Sequence, residues 1–342
     1  MKKVVLMVIL PLSLALTQVC LAQKESSPIY VLKFNDWGPP GIGIGKLHQQ
    51  AAEMIKKRTN GKVRVDCYFS QSLLKFQDTF RGVSTGVADI SLYVPQAQQG
   101  ITKILSMSFS GLPEMKKATL IYREMLKRHP EFQGELLKNG VKWISLRAMP
   151  SNEFHFVTKK PIKSPKDMKG MRIIGNTDMD KEYRQVGASV IQLGPPDWYT
   201  SLERGLAQGI AVHYCGVYEF KILELLRSHT HFGGVAGSSP IGFIVNVKVW
   251  NSLPKDIQDV ITEVYDWVNE ESLKYDEGLT KTAMEEAKKM NHVIIELSDS
   301  EISEWMEWAK SYRKRVIEDL ESKGWPAHKV YESMQELIAK YK

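Results

Sequence analysis

Histidine is the residue whose spacing first suggests chemistry in this chain. His229, Thr230 and His231 would set two imidazoles on one face of a strand, and His213 or His155 could complete a three-ligand metal site. No cysteine or acidic ligand stands at close spacing to support them, so the expectation is histidines in a loop or on a strand surface, with no metal and no cofactor. A serine nucleophile would ask for G-x-S-x-G, which Gly237, Ser238, Ser239 and Pro240 do not supply. Gly41, Gly43 and Gly45 invite a dinucleotide loop, but the spacing is G-x-G-x-G and no Walker lysine follows. A tight strand-to-helix entry explains them more simply. Glu182 and Glu203 read as helix-surface acids, and no paired carboxylates are assignable from spacing.

The composition narrows the classes further. With 342 residues, 43% hydrophobic and 25% charged, the chain has enough material for two domains with a substantial core. Lys2 and Lys3 precede an apolar run from Val4 to Leu16, and Cys20, Leu21 and Ala22 offer a cleavage site, so residues 1–22 are expected to be a secretory signal peptide. Its removal lowers the formal charge of +7 by two. No basic arm with interleaved aromatics concentrates that charge, which argues against a nucleic-acid partner. Cys67 and Cys215 both sit in apolar stretches, where unpaired core cysteines are the simpler expectation.

These residues must be positioned by alternating strands and helices. Tyr30 to Phe34, Val63 to Phe69 and Val87 to Val94 read as strands, separated by helices from Ile44 to Arg58 and from Leu73 to Val83. The order implies parallel pairing with crossover helices. Residues 97–111 are mixed and read as cleft margin. A helix over Lys116 to Lys127 and a strand over Val141 to Leu146 lead to a break at Arg147 to Asn152, where the chain is expected to cross into a second unit. There Ser164, Pro165 and Asp167 signal a helix start, Met171 to Ile174 a strand, Asp178 to Val186 a helix, and Ser189 to Leu193 another strand. Ile210 to Tyr218 is apolar and strand-like. Pro254 opens a long helix, and Ser298 with Glu301 forms a capping box for another.

Two segments carry a resemblance to a known family. Asp167, Met168, Lys169, Gly170 and Met171, then Gly187 and Ala188, then Trp198, Tyr199, Leu202 and Gly205 resemble a pattern of the DctP-type solute-binding proteins of TRAP (tripartite ATP-independent periplasmic) transporters. Asn246, Trp250, Ser252, Leu253 and Pro254 are similar to the family's strand, turn and Ser-Leu-Pro helix opening, and the likeness extends over essentially the whole mature chain. It implies an α/β, two-lobe periplasmic binding protein fold, with a ligand cleft between lobes and a long helix bracing both. Lobe I would span 28–150, with part of 240–297 returning to it. Lobe II would span 151–239, with part of 254–342 packing on both.

The resemblance also implies a function and a site. A small organic anion, carboxylate or sulfonate, would be captured by hinge closure and delivered to the TRAP permease by a monomeric protein that is not an enzyme. In the family an arginine clamps the ligand carboxylate through two parallel hydrogen bonds. Counting back from Gly187 places it at Arg172, counting forward from Gly170 places it at Ile174, and residues two apart on a strand share a face. The family's amide-bearing segment falls at Gln208 to Val212, leaving His213 and Tyr214 as polar substitutes. A second arginine position falls at Phe154, beside His155, with Arg147 close enough to compensate. Trp37, Tyr93, Phe154, Trp198 and Tyr214 are then candidate walls. Loss of the family's polar contacts leaves a neutral, aromatic or amine-bearing solute, or a ligand-sensing receptor subunit, as alternatives. A secreted enzyme is the further competing class.

Overall fold

Alternating apolar residues give the first strand, β1 (Tyr30–Asn35), and the chain then turns through Pro39 and Pro40 into α1 (Gly43–Arg58). Two of the three glycines of that entry answer to packing, while Gly41 has open space around it. A Cβ at Gly45 would lie 2.4 Å from the Pro39 carbonyl oxygen, and one at Gly43 would strike the Tyr275 ring. Helix α1 buries His48, Ala51 and Ile55 at helical spacing and places Lys56, Lys57 and Arg58 at its C-terminal dipole. β2 (Val63–Tyr68) follows, then α2 (Thr79–Thr85), β3 (Ile90–Tyr93), α3 (Met115–Arg128), α4 (Glu131–Leu137) and β4 (Val141–Ala148). The computed structural model describes residues 30–95, 112, 114–150, 152–175, 177–232 and 239–341. The signal peptide and the cleft-margin reading of 97–111 lie outside these residues.

The second half begins with β5 (Glu153–Phe156), β6 (Arg172–Ile174), α5 (Asp180–Gln185), β7 (Ser189–Ile191), α6 (Trp198–Glu203), β8 (Gly209–Val212), α7 (Tyr214–Glu219) and β9 (Ser228–His231). The chain returns through β10 (Pro240–Asn246), α8 (Val247–Ser252), the 35-residue α9 (Lys255–Lys289), β11 (Val293–Glu296), α10 (Asp299–Ser322) and α11 (Ala327–Tyr341). Ser298 and Glu301 reciprocally cap α10, and Asn246 accepts the Lys248 and Val249 amides at the start of α8.

Two sheets result. The first has the order β2-β1-β3-β10-β4 and the second β11-β9-β5-β8-β6-β7. The expected parallel pairings hold for β1 with β2 and β3, and for β6 with β7 and β8. β10 is antiparallel to both β3 and β4, and β5 is antiparallel to β8 and β9, so both sheets are mixed. Each sheet is covered on both faces: β1, β3 and β10 pack on α9 on one side of the first, while β4 packs with α3 and α11 on the other. In the second, Ile210 and Val212 share a core with Ala287 of α9, and Phe156 and Ile173 share one with Trp305 of α10.

Two expected elements differ. The helix read over Leu73 to Val83 is instead a turn, a single 3-10 turn at Phe76–Asp78 and the short α2, because the Leu74 amide donates to Asn35 Oδ1 and the Phe76 amide to Gln71 Oε1. These side-chain bonds divert the amides that a helix would use. The apolar run Ile210 to Tyr218 stops being strand at Val212, since the His213 ring accepts the Gly216 amide at 2.9 Å and starts α7. The apolar pattern of a strand and of a buried short helix is the same over so few residues.

Candidate functional site

A cavity of about 270 Å³ opens where the two sheets face one another. The turn after β1 contributes Asp36 and Trp37, β4 contributes Arg147, and β10 contributes Ile241. The second sheet supplies Phe154, Ile174 and Val212, followed by His213. Glu219 and Phe220 come from the end of α7, Asp276 from α9, and Trp305, Trp308, Tyr312 and Arg313 from α10.

Aromatic rings make up much of the wall. The Trp37 ring meets Phe76 edge-on at 5.2 Å and stacks toward Phe220 at 6.5 Å, and Phe220 meets Trp198 at 5.3 Å. Trp37 and Phe76 follow strands of the first sheet, whereas Trp198 and Phe220 follow strands of the second, so this row joins the two halves across the cavity. Trp198 Nε1 donates to the Leu193 carbonyl at 3.0 Å, but Trp37 Nε1 is buried without an acceptor among the described residues. A second group holds Phe154 against Trp305 at 4.9 Å. Flat rings with polar tips suit a small ring-bearing molecule, and the free indole N–H of Trp37 would be satisfied by an acceptor on it.

The charged groups are already engaged with one another. Arg147 Nη1 lies 2.7 Å from Asp276 Oδ2, with Arg147 4% exposed and Asp276 3% exposed, and Arg147 also donates to the Ala148 carbonyl at 3.1 Å. Burial pushes the Asp276 carboxyl above its usual range, against the opposing pull of Arg147. Nearby Glu219 is raised to about 7 by burial and then by the Asp276 charge, and it accepts from Tyr275 Oη at 3.2 Å. Asp36 accepts from the Gly38 amide and pairs with His48 Nδ1, both at 2.7 Å. Arg147 is therefore paired within the protein, through Asp276.

Two of the histidines read as loop or strand-surface groups, His155 and His229, are instead buried and form a chain with the partly buried His292. His155 Nε2 lies 2.9 Å from the Val212 carbonyl oxygen, which can only accept, so Nε2 carries the proton and Nδ1 is an acceptor. His229 Nδ1, 2.7 Å from His155 Nδ1, must then donate, and His229 Nε2 accepts from His292 Nδ1 at 3.0 Å. Desolvation lowers His155 to about 3 and His229 to about 2, which keeps these imidazoles neutral. Among the described residues no group of three or more metal-ligating side chains is arranged to hold an ion. Glu182, read as a helix-surface acid, is likewise buried and accepts from Arg315 Nη2 at 2.6 Å and Ser311 Oγ at 2.9 Å.

The expected site residues therefore divide. Trp37, Arg147, Phe154, Trp198 and His213 meet at the cavity. Tyr93 does not line it and packs between Phe80 and Trp143 in the core of the first sheet. His155 and Tyr214 are buried behind the wall, ring against ring at 4.8 Å. Arg172 is exposed at the start of β6, outside the cavity, with its amide bonded to Gln208 Oε1, whereas Ile174, two residues on, faces the cavity. Sharing a face of so short a strand did not carry Arg172 inward, because the cavity reaches only the carboxyl end of β6. Glu219, Phe220, Asp276 and the α10 residues were absent from the sequence reading; only the helical amphipathicity of their segments was visible.

Comparison with known proteins agrees with this architecture. Residues 39–319 match the family model described as DctP, bacterial extracellular solute-binding protein, family 7. A solute-binding protein of Albidiferax ferrireducens is 23% identical over 280 residues, covering 78% of each chain. A marine metagenome TRAP solute-binding protein, specific for aromatic acid ligands and solved with metahydroxyphenylacetate, superposes with a TM-score of 0.79 at 22% identity, covering 92% of this chain and 99% of its own. A TRAP solute-binding protein of Rhodoferax ferrireducens solved with copurified benzoate gives a TM-score of 0.79 at 20% identity, covering 91% and 98%. These relatives are solute-binding proteins of transport and not enzymes, and the fold they share is the two-lobe periplasmic binding protein fold. With the family match spanning most of its length, this chain belongs to the DctP family of bacterial extracellular solute-binding proteins.

Proposed function

We propose that this protein is the extracytoplasmic solute-binding subunit of a TRAP transporter and that it captures a small aromatic solute, neutral or amine-bearing, for delivery to a membrane permease. The observation that carries the reading is the cavity wall itself: aromatic rings from both halves surround it, its buried guanidinium is already paired with Asp276, and Ile174 stands at the carboxyl end of β6. Burial of a ring among such side chains supplies affinity without a charge clamp. Closure would then be favoured because Trp37 and Phe220, which line the cavity from opposite halves, would both touch the same ligand. Location in the periplasm accords with the family, and among the described residues no helix is long and apolar enough to cross a membrane.

The expected small organic anion is the second reading, supported by Arg313 at the α10 side of the cavity and by the aromatic acids bound in the two solved relatives. Isothermal titration of the purified protein with benzyl alcohol, benzylamine, benzoate and a benzenesulfonate separates the two. Saturable binding led by the alcohol or the amine supports the first reading. Binding led by the acids replaces it with the second, and no saturable heat from any member sinks both.

A further inference from the structure

The pairing of Arg147 with Asp276 bears on which charges the cavity admits, and the inference rests on the cavity being the solute site. Arg147 projects from β4 of the first sheet and Asp276 from the middle of α9, and both line the cavity although each is almost wholly buried. Their contact, Nη1 to Oδ2 at 2.7 Å, is the contact an arginine makes with a ligand carboxylate. We infer that Asp276 is a specificity-determining residue: a built-in carboxylate that occupies the buried Arg147 guanidinium, at the end of the cavity away from Arg313 on α10, and so selects against acidic solutes.

Three arrangements support this. Arg147 Nη1 is engaged twice, by Asp276 Oδ2 and by the Ala148 carbonyl, so that side of the guanidinium is taken before a ligand arrives. Glu219 and Asp36 line the same cavity, so an incoming anion that displaced Asp276 would leave that carboxylate buried beside other acids. The Arg172 guanidinium, which could have offered a second docking point, is outside the cavity. Selection of this kind works by raising the cost of the wrong ligand rather than by adding contacts to the right one. A neutral or amine-bearing ring leaves the pair intact, and an amine gains from the carboxylates around it.

The test uses the full mature protein and one ring scaffold carrying three charges: benzyl alcohol, benzylamine and benzoate at constant ionic strength. In Asp276→Asn the ratio of benzoate affinity to benzyl alcohol affinity should rise at least tenfold over wild type, because Arg147 is released. An unchanged or falling ratio overturns the inference. Where Asp276→Asn fails to fold, the double variant Arg147→Met with Asp276→Leu removes both charges together. Its benzoate-to-alcohol ratio should not fall below that of wild type; a tenfold fall would mean that acids use Arg147 in the native protein, which also overturns the inference. Wild type that binds no probe refutes the aromatic-solute reading alone, since a gain of benzoate binding in Asp276→Asn is read independently of it.

Discussion

Two clusters of buried ionisable groups lie within the same molecule and are built on different terms. Behind the second sheet, His292, His229 and His155 pass hydrogen bonds in one direction to the Val212 carbonyl, and the two inner rings are neutral. At the cavity, Arg147, Asp276 and Glu219 meet with a full guanidinium charge in place and the carboxyls pushed up by burial. The first cluster gives up its charge to stay buried, whereas the second keeps a charge and spends a carboxylate to balance it. Only the second faces the cavity, and the imidazole chain belongs to the framework.

Acid should break the histidine cluster first and most strongly. His155, His229 and also His213, which is lowered to about 3, have folded pKa values depressed below the ordinary 6.5. The unfolded chain takes up their protons first on acidification. The stability they carry is therefore complete above about pH 6.5 and is lost as pH falls toward 3, by on the order of 4–6 kcal/mol for the three at about pH 5. Urea unfolding at several pH values measures this, and a flat profile from neutrality to about pH 5 would mean that the imidazoles are not buried neutral.

The cavity cluster should respond to loss of a partner instead. Arg147→Ala leaves Asp276 buried without its cation and is expected to cost about 3–5 kcal/mol in chemical denaturation. A cost below about 1 kcal/mol would place the pair among weak surface contacts and erase the contrast. Glu219 has the opposite sign to the histidines: its folded pKa is raised, so the stability it carries is present below about pH 4.5 and is lost as pH rises through about 7. Glu219→Gln should accordingly gain on the order of 1 kcal/mol relative to wild type above neutrality and lose that advantage in mild acid. The smallest effect is expected at the exposed Arg172, where replacement by Ala should alter stability by less than about 0.5 kcal/mol and leave calorimetric affinity within twofold. A tenfold loss there would bring the anion clamp back to β6.

The sequence made the scaffold legible because its signals are local. Pro254 before α9, the Ser298 and Glu301 cap of α10, and the periodic face of α1 each announce themselves within a few residues. Half of the cavity was legible for a related reason: Trp37, Phe154 and Trp198 stand beside strand ends, where ligands of α/β sheets gather. Asp276 and Trp305 gave no such sign. Each looks like one more member of an amphipathic helix, and its role depends on which face of α9 or α10 meets a strand far away in the chain. Arg172 shows the converse failure, since register within a three-residue strand is too short a lever to fix where its first side chain points.

Helix α9 packs on the core of the first sheet through Ile257, Ile261 and Val268 and on that of the second through Ala287. At 1.5 Å per residue its 35 residues make a beam about 52 Å long, with no proline inside it to act as a joint. Tyr275 and Asp276 sit between those two footings, at the point where bending stress in such a beam would concentrate. A rotation of one sheet against the other must therefore strain the span that carries Asp276 or be absorbed by the connections at its ends. In mechanical terms, the carboxylate that partners the buried guanidinium is mounted on the fulcrum.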